Sequence, residues 1–132
     1  MALWHPLFAL AFGVGNAIAN LQSPFGAWDF VAMGFVDAGA ALLCWWLGQV
    51  DLGPADGAWL RWRAPAAVNV QAVVISLGVA IFPLGIAGGL PFWPSFISVL
   101  ISELILLNAG YWVIWRRYGE QIFGKPYKRG QG

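Results

Sequence analysis

The chain has 132 residues, of which 60% are hydrophobic and only 10% are charged, whereas about a quarter of a soluble domain is charged. So few charged side chains cannot cover a water-facing globule, and the expected surroundings are therefore lipid. The formal net charge of +1 excludes a basic nucleic-acid-binding surface, and the single cysteine, Cys44, excludes a disulfide framework and disfavours a metal site built on thiolates.

Four apolar segments follow one another along the chain, and each is long enough to cross about 30 Å of hydrocarbon as a helix of about 20 residues. Backbone polar groups find no water in lipid, so these segments are expected to be helices. The predicted fold is an all-α integral membrane protein with four transmembrane helices in two antiparallel hairpins. A single transmembrane domain would cover residues 1–117, and a cytoplasmic tail would cover residues 118–132. The predicted spans are residues 2–21, 27–50, 65–87 and 92–115.

Proline and glycine mark the breaks between the predicted spans. The stretches "LQSPFG" and "GGLPFWP" are short turn-forming segments, and each should join two antiparallel helices. Pro65 is expected in the first turn of the third helix, where its missing N–H costs nothing. Pro83 falls inside that span and should kink it.

Basic residues and tryptophans predict the orientation. The two short outer connections contain no Lys or Arg, so both termini are expected on the cytoplasmic side. The seven basic residues of that side would be Arg61, Arg63, Arg116, Arg117, Lys125, Lys128 and Arg129. The tryptophans expected as interface anchors are Trp28, Trp62, Trp93 and Trp115. A signal peptide is disfavoured at the start, because no basic residue precedes the first apolar segment.

Acidic side chains lie inside two of the predicted spans. Glu103 follows Phe92 by eleven residues, which is about 16 Å of helix and places it near the bilayer midplane. A charge there costs roughly 2.5 to 3.5 kcal/mol, and such residues usually mark a functional site. Asp37 is expected at a similar depth in the second span, eight residues beyond Asp29. No Lys or Arg in these spans can pair with the acids, so their partners must be protons, water, other polar side chains or a ligand, and the acids indicate a polar cavity.

Each of these polar residues also has a structural interpretation. Glu103 could serve only as a hydrogen-bonding link between helices, and Asp29 could be a helix-start acid that the helix dipole favours. Asn16 and Asn20, four residues apart on one helix face, could pack against a neighbour or recognise a ligand. We favour function for Glu103 and leave both interpretations open for the others.

Small residues recur four positions apart in three spans, and this pattern predicts close helix packing. The seams are Ala9, Gly13 and Ala17; Gly34 and Ala38; and Ser98 and Ser102.

Asn69 and Gln71 are expected at the membrane interface. His5 has no companion ligands for a metal or haem, and the chain shows no nucleophile–base set and no phosphate-binding loop. We therefore expect no metal, no cofactor and no enzymatic activity.

The stretch "GNAIANLQSPFGAWDFVAMG" resembles the middle of the QueT-type S components, the substrate-binding membrane subunits of energy-coupling factor (ECF) transporters. The resembling residues in it are Gly15, Ala19, Asn20, Pro24, Gly26, Asp29 and Gly34. The third span is similar at Pro65 and Asn69, and the fourth at "PFW" and at Glu103. Ser102 departs from the pattern, because the family prefers glycine there. The resemblance covers residues 8–117.

S components are usually six-helix proteins that bind a vitamin-like solute from outside and dock on a membrane coupling subunit driven by two ATPase subunits. QueT-type members are assigned to uptake of queuosine precursors, which are 7-deazaguanine bases. The chain matches the family's last four helices, so the resemblance implies that the first two are missing. It also implies an ECF-type coupling subunit and ATPases as partners, a nucleobase-like ligand, and a place in the bacterial cytoplasmic membrane.

Residues and resemblance together predict a membrane-embedded substrate-binding subunit for a queuosine precursor or a similar small solute. The polar floor of its site would be formed by the two midplane acids, the asparagines and Asp29 would line the approach, and two tryptophans could stack on a flat base. The predicted substrate-binding residues are Asn16, Asn20, Trp28, Asp29, Asp37, Trp93 and Glu103. The alternative is a non-transporting structural or assembly subunit of a larger membrane complex, in which the acids would bond to neighbouring chains.

Overall fold

A computed structural model describes residues 5–49, 58–115, 117, 118 and 121, and every regular element among them is helical. Four α-helices carry the fold. They are α1 (Leu7–Ala19), α2 (Met33–Gln49), α3 (Ala58–Ile81) and α4 (Phe92–Ala109). Three π-helical turns extend them: the first is Trp28–Ala32, the second is Phe82–Ala87 and the third is Gly110–Trp115.

Three of the helical segments are long and apolar enough to cross a membrane, and the fourth is shorter. The three are Trp28–Gly48, Arg63–Ala87 and Phe92–Ile114, and the shorter apolar helix is Leu7–Ala19. The predicted second and fourth spans include α2 and α4 together with the first and third π turns. The predicted first span begins before the described residues, so the four-span arrangement stays a prediction.

The helices follow one another as antiparallel neighbours, since α1 packs on α2, α2 on α3 and α3 on α4. One hydrophobic cluster shows this directly, because it joins Cys44 near the end of α2, Ala64 near the start of α3 and Tyr111 beyond α4, with Phe8 of α1 packed against it. The first residues of α1 and the end of the last helix therefore lie at the same end of the bundle. Arg63 lies at this end as well.

Glycine lets α1 and α2 approach closely, as the small-residue seams predicted. A Cβ atom added to Gly13 would lie 2.5 Å from the carbonyl oxygen of Gly34 and 2.8 Å from the Cβ of Ala38. The serine seam of α4 is different, since Ser98 and Ser102 are both exposed. The predicted close packing of that seam does not occur within the described residues, because α4 presents its opposite face to α3.

Two prolines have different effects on the third span. Pro65 lies inside α3, which begins seven residues earlier at Ala58, so the predicted first-turn position is wrong. The residues before Pro65 include good helix formers. They keep this segment helical although Pro65 cannot donate its backbone hydrogen bond. Pro83 is buried in the second π turn, where the helix widens at the position expected to be kinked.

The first two π turns contact each other at the end of the bundle opposite Tyr111. Trp28 of the first turn stacks on Phe82 of the second, with ring centroids 5.9 Å apart and planes inclined by 9°. The loops beside them turn on Gly26 and Gly89, whose φ values of 59° and 64° lie in the left-handed region that favours glycine. This end of the bundle contains the two short connections predicted to lie outside the cell.

Candidate functional site

Asp37 lies at the centre of the candidate site. Its side chain projects from α2 and is only 4% exposed. The Nδ2 group of Asn16, on α1, donates a hydrogen bond to its Oδ2 atom. The close approach of α1 and α2 around Gly13 brings the two side chains within reach of each other. The structure thus joins two of the residues that the sequence singled out.

Asn20 continues this contact toward the C-terminal end of α1. Its Nδ2 group donates to the Oδ1 atom of Asn16 over 2.9 Å, and both asparagines are half-buried. The i,i+4 spacing places the two amides on one helix face, as the sequence predicted. We call the chain of bonds from Asn20 through Asn16 to Asp37 the amide ladder.

Asp29 lies in the first π turn, beyond the Asn20 end of the amide ladder. Its Oδ2 atom accepts a hydrogen bond from the hydroxyl of Ser23, and its backbone N–H bonds the carbonyl of Gly26 over 3.0 Å. This local network supports the interpretation as a helix-start acid. The carboxyl group is also within electrostatic range of Asp37, so it contributes negative potential to the candidate site.

Glu103 lies at nearly the same depth as Asp37, on a different helix. Val36 of α2 packs against Gly78, and Asn108 of α4 bonds Asn69, so both contacts fix the register against α3. By counting along the antiparallel helices, we find that the α3 positions opposite Asp37 and Glu103 are about three residues apart. This separation corresponds to roughly 4.5 Å along the helix axis. The Glu103 carboxyl group is within electrostatic range of Asp37. It is half-buried and makes no hydrogen bond to another described residue.

The charges of this region are all of one sign. Asp37 lies within electrostatic range of both Asp29 and Glu103, and no Lys or Arg lies between residues 5 and 49 or between residues 64 and 115. Carboxylates in a poorly hydrated interior require donors or a counter-charge. Among the described residues, no group of three or more His, Cys, Asp or Glu side chains could hold a metal ion. The Asp37 and Glu103 carboxyl groups are hydrogen-bond acceptors, so a donor or a cation is a chemically suitable partner for them.

The two tryptophans proposed for base stacking differ in their surroundings. Trp28 is next to Asp29 in the chain, is 43% exposed and stacks on Phe82. Trp93 is 68% exposed, and its edge-to-face contacts are to Phe92 and Phe96 of its own helix. Only Trp28 is therefore linked to a second helix at the end of the bundle where Asp29 lies.

A second polar contact between helices was missed at the sequence level. Asn108 donates to the Oδ1 atom of Asn69 over 2.6 Å and to the carbonyl of Leu104 over 2.8 Å. Asn69 was expected at the membrane interface, as was Gln71, but Asn69 pairs across α3 and α4 and Gln71 is 6% exposed. The sequence did contain a signal for this contact. Asn108 is the lone amide of the fourth span, and its depth matches that of Asn69 on the neighbouring antiparallel helix.

Comparison with known proteins gives one clear relationship. The family model described as "QueT transporter" matches residues 1–116 of the chain. No curated protein and no solved structure matches significantly.

Proposed function

The chain belongs to the QueT transporter family, and from this premise we propose that it is an S component that captures a queuosine precursor, a 7-deazaguanine-type base, or a similar small solute. The observation that carries the proposal is that buried Asp37 lies within electrostatic range of Glu103 at a similar depth in the bundle, and that residues 5–49 and 64–115 contain no Lys or Arg. Such a site needs a ligand that supplies hydrogen-bond donors or positive charge. The subunit would bind its solute without chemical change.

The two carboxylates have different capacities for a ligand. Glu103 makes no hydrogen bond to a described residue, so both of its oxygens are available. A carboxylate with two available oxygens can accept from the ring N–H and the exocyclic NH₂ of a guanine-like edge. Asp37 already accepts from Asn16 on one oxygen. We assign it to a single charge-assisted contact, such as one with the aminomethyl cation of a 7-deazaguanine.

The remaining candidate residues would lie along the route to these acids. Asn20 and Asp29 are nearer the outer end of the bundle than Asp37, and they would line the approach together with Asn16. Trp28 would stack on the flat base, and Trp93 would do so less directly because its ring contacts remain within α4. A polar cavity open toward the outside would connect these groups.

A solute-binding subunit also needs a source of energy for uptake. We propose docking on an ECF-type coupling subunit with two ATPase subunits, in a bacterial cytoplasmic membrane. The described chain has apolar helices that suit this location. Four spans, with both termini on the cytoplasmic side, are consistent with the position of Arg63 at the same end of the bundle as the start of α1.

Calorimetry on the full chain in detergent tests the ligand. The probe is 7-aminomethyl-7-deazaguanine, and adenine, which has a different donor edge, is the control. We expect a dissociation constant of about 1 µM or lower for the probe, equivalent to about −8 kcal/mol, and no measurable heat for adenine. Absence of binding to the probe would reject the proposed ligand.

Purification of the chain from native membranes tests the alternative role. If the chain is recovered only with the subunits of another complex, and without coupling subunits, the assembly role is favoured.

A further inference from the structure

We propose that Asn20 is a positioning residue: it fixes the orientation of the Asn16 amide, and through that amide it sets how Asp37 meets a ligand. The inference rests on the proposed function, because it concerns the same site. Beyond its place along the approach, Asn20 would act on binding through the amide ladder, and this role requires no contact with the ligand.

The geometry of Asn16 supports this role. An asparagine amide has an acceptor oxygen and a donor NH₂ group of similar size, so it can lie in two orientations that differ by a flip. Asn20 donates to the Oδ1 atom of Asn16 over 2.9 Å, and Asn16 donates to Asp37 through Nδ2. Both bonds require the same orientation. In the reversed one, NH₂ would face NH₂ at Asn20, and oxygen would face oxygen at Asp37.

The burial of Asp37 makes this orientation important. Asp37 is 4% exposed, and among the described residues Asn16 supplies its only hydrogen bond. A carboxylate without donors in such surroundings loses the interactions that hold its charge in place. Loss of the donor on Asn20 would free the Asn16 amide to flip or rotate. Asp37 would then be held less firmly in the geometry that binds a cation.

The first test needs no ligand. The chain contains four asparagines, at positions 16, 20, 69 and 108, so selective ¹⁵N-asparagine labelling gives four side-chain amide signals in an NMR spectrum. In Asp37→Leu we expect the signals of Asn16 and Asn20 to shift and those of the Asn69–Asn108 pair to stay unchanged. A shift of Asn16 without a shift of Asn20, or no shift at either, would overturn the ladder.

The second test is a double-mutant cycle with 7-aminomethyl-7-deazaguanine as the probe. We expect Asn20→Leu to weaken binding about five- to tenfold, as loss of roughly one hydrogen bond does. In the Asp37→Asn background the same change should cost about twofold or less, because residues that act through one network are not additive. Asn20→Gln, which keeps a donor, should recover part of the loss.

Equal losses in both backgrounds would show that Asn20 acts directly on the ligand or on the fold, and would overturn the inference. No loss in the wild-type background would overturn it as well. If the unmodified chain does not bind the probe, the proposed ligand fails. The labelled-amide experiment still decides the ladder in that case, so the two failures are distinguishable.

Discussion

The Nδ2 group of Asn16 donates a hydrogen bond to Asp37, and this contact joins α1 to α2 deep inside the bundle. A carboxylate is an acceptor with about four lone-pair sites, and here one amide serves it. Glu103, at nearly the same depth, makes no hydrogen bond to a described residue. The proposed function therefore requires a donor-rich ligand at these two carboxyl groups.

Replacement of Glu103 by Gln should weaken binding of both 7-aminomethyl- and 7-cyano-7-deazaguanine by about tenfold or more, the equivalent of roughly one charge-assisted hydrogen bond. Both probes share the guanine-like edge, so their losses should be similar. Calorimetry in detergent measures the change, and thermal unfolding of the variant serves as a check on its fold. Unchanged binding would remove Glu103 from the site.

Replacement of Asp37 by Asn should discriminate between the same two probes. The aminomethyl compound carries a positive charge and the cyano compound does not, so loss of the Asp37 charge should cost the former about tenfold more. The ratio of the two dissociation constants is the relevant measurement. Equal losses for the two compounds would contradict the assignment of the aminomethyl cation to Asp37.

The apolar helices, and the presence of acidic residues inside them, could be predicted from the sequence because the length and hydrophobicity of a segment indicate whether it can cross a lipid bilayer. The similar position of Asp37 and Glu103 along the bundle followed from counting residues along the helices. Their partners could not be predicted, since the rotation of each helix about its axis decides whether Asn16 meets Asp37. The start of α3 before Pro65 was not predicted, because a proline is typical of the first turn of a helix. The helix formers that precede Pro65 extend the helix back to Ala58.

Replacement of Asn108 by Leu should destabilise the bundle. Its NH₂ group bonds both Asn69 and the carbonyl of Leu104, so α3 and α4 lose a polar contact. Contacts of this kind between membrane helices contribute about 0.6 to 2 kcal/mol, and thermal unfolding in detergent should detect the difference. Ser102→Ala is the matched control on α4, because among the described residues its hydroxyl bonds only the carbonyl of Ser98 in its own helix. An equal effect of both variants would reject the interhelical role of Asn108.

Two glycines on α1 provide the last prediction. A methyl group on Gly13 would lie 2.5 Å from the carbonyl oxygen of Gly34, whereas one on Gly15 would meet nothing within 4 Å. The atoms facing Gly13 belong to the backbone and to a Cβ, so no flexible side chain can move aside, and Gly13→Ala should cost about 1 to 3 kcal/mol.

Gly15→Ala should be neutral or stabilise the helix by up to about 1 kcal/mol, because alanine has the higher helix propensity. Thermal unfolding of the two variants side by side separates a steric effect from a general effect of glycine. Gly13→Ala should also weaken probe binding, since separation of α1 from α2 would move Asn16 away from Asp37. Equal stability of the two variants would mean that α1 and α2 do not pack through this contact.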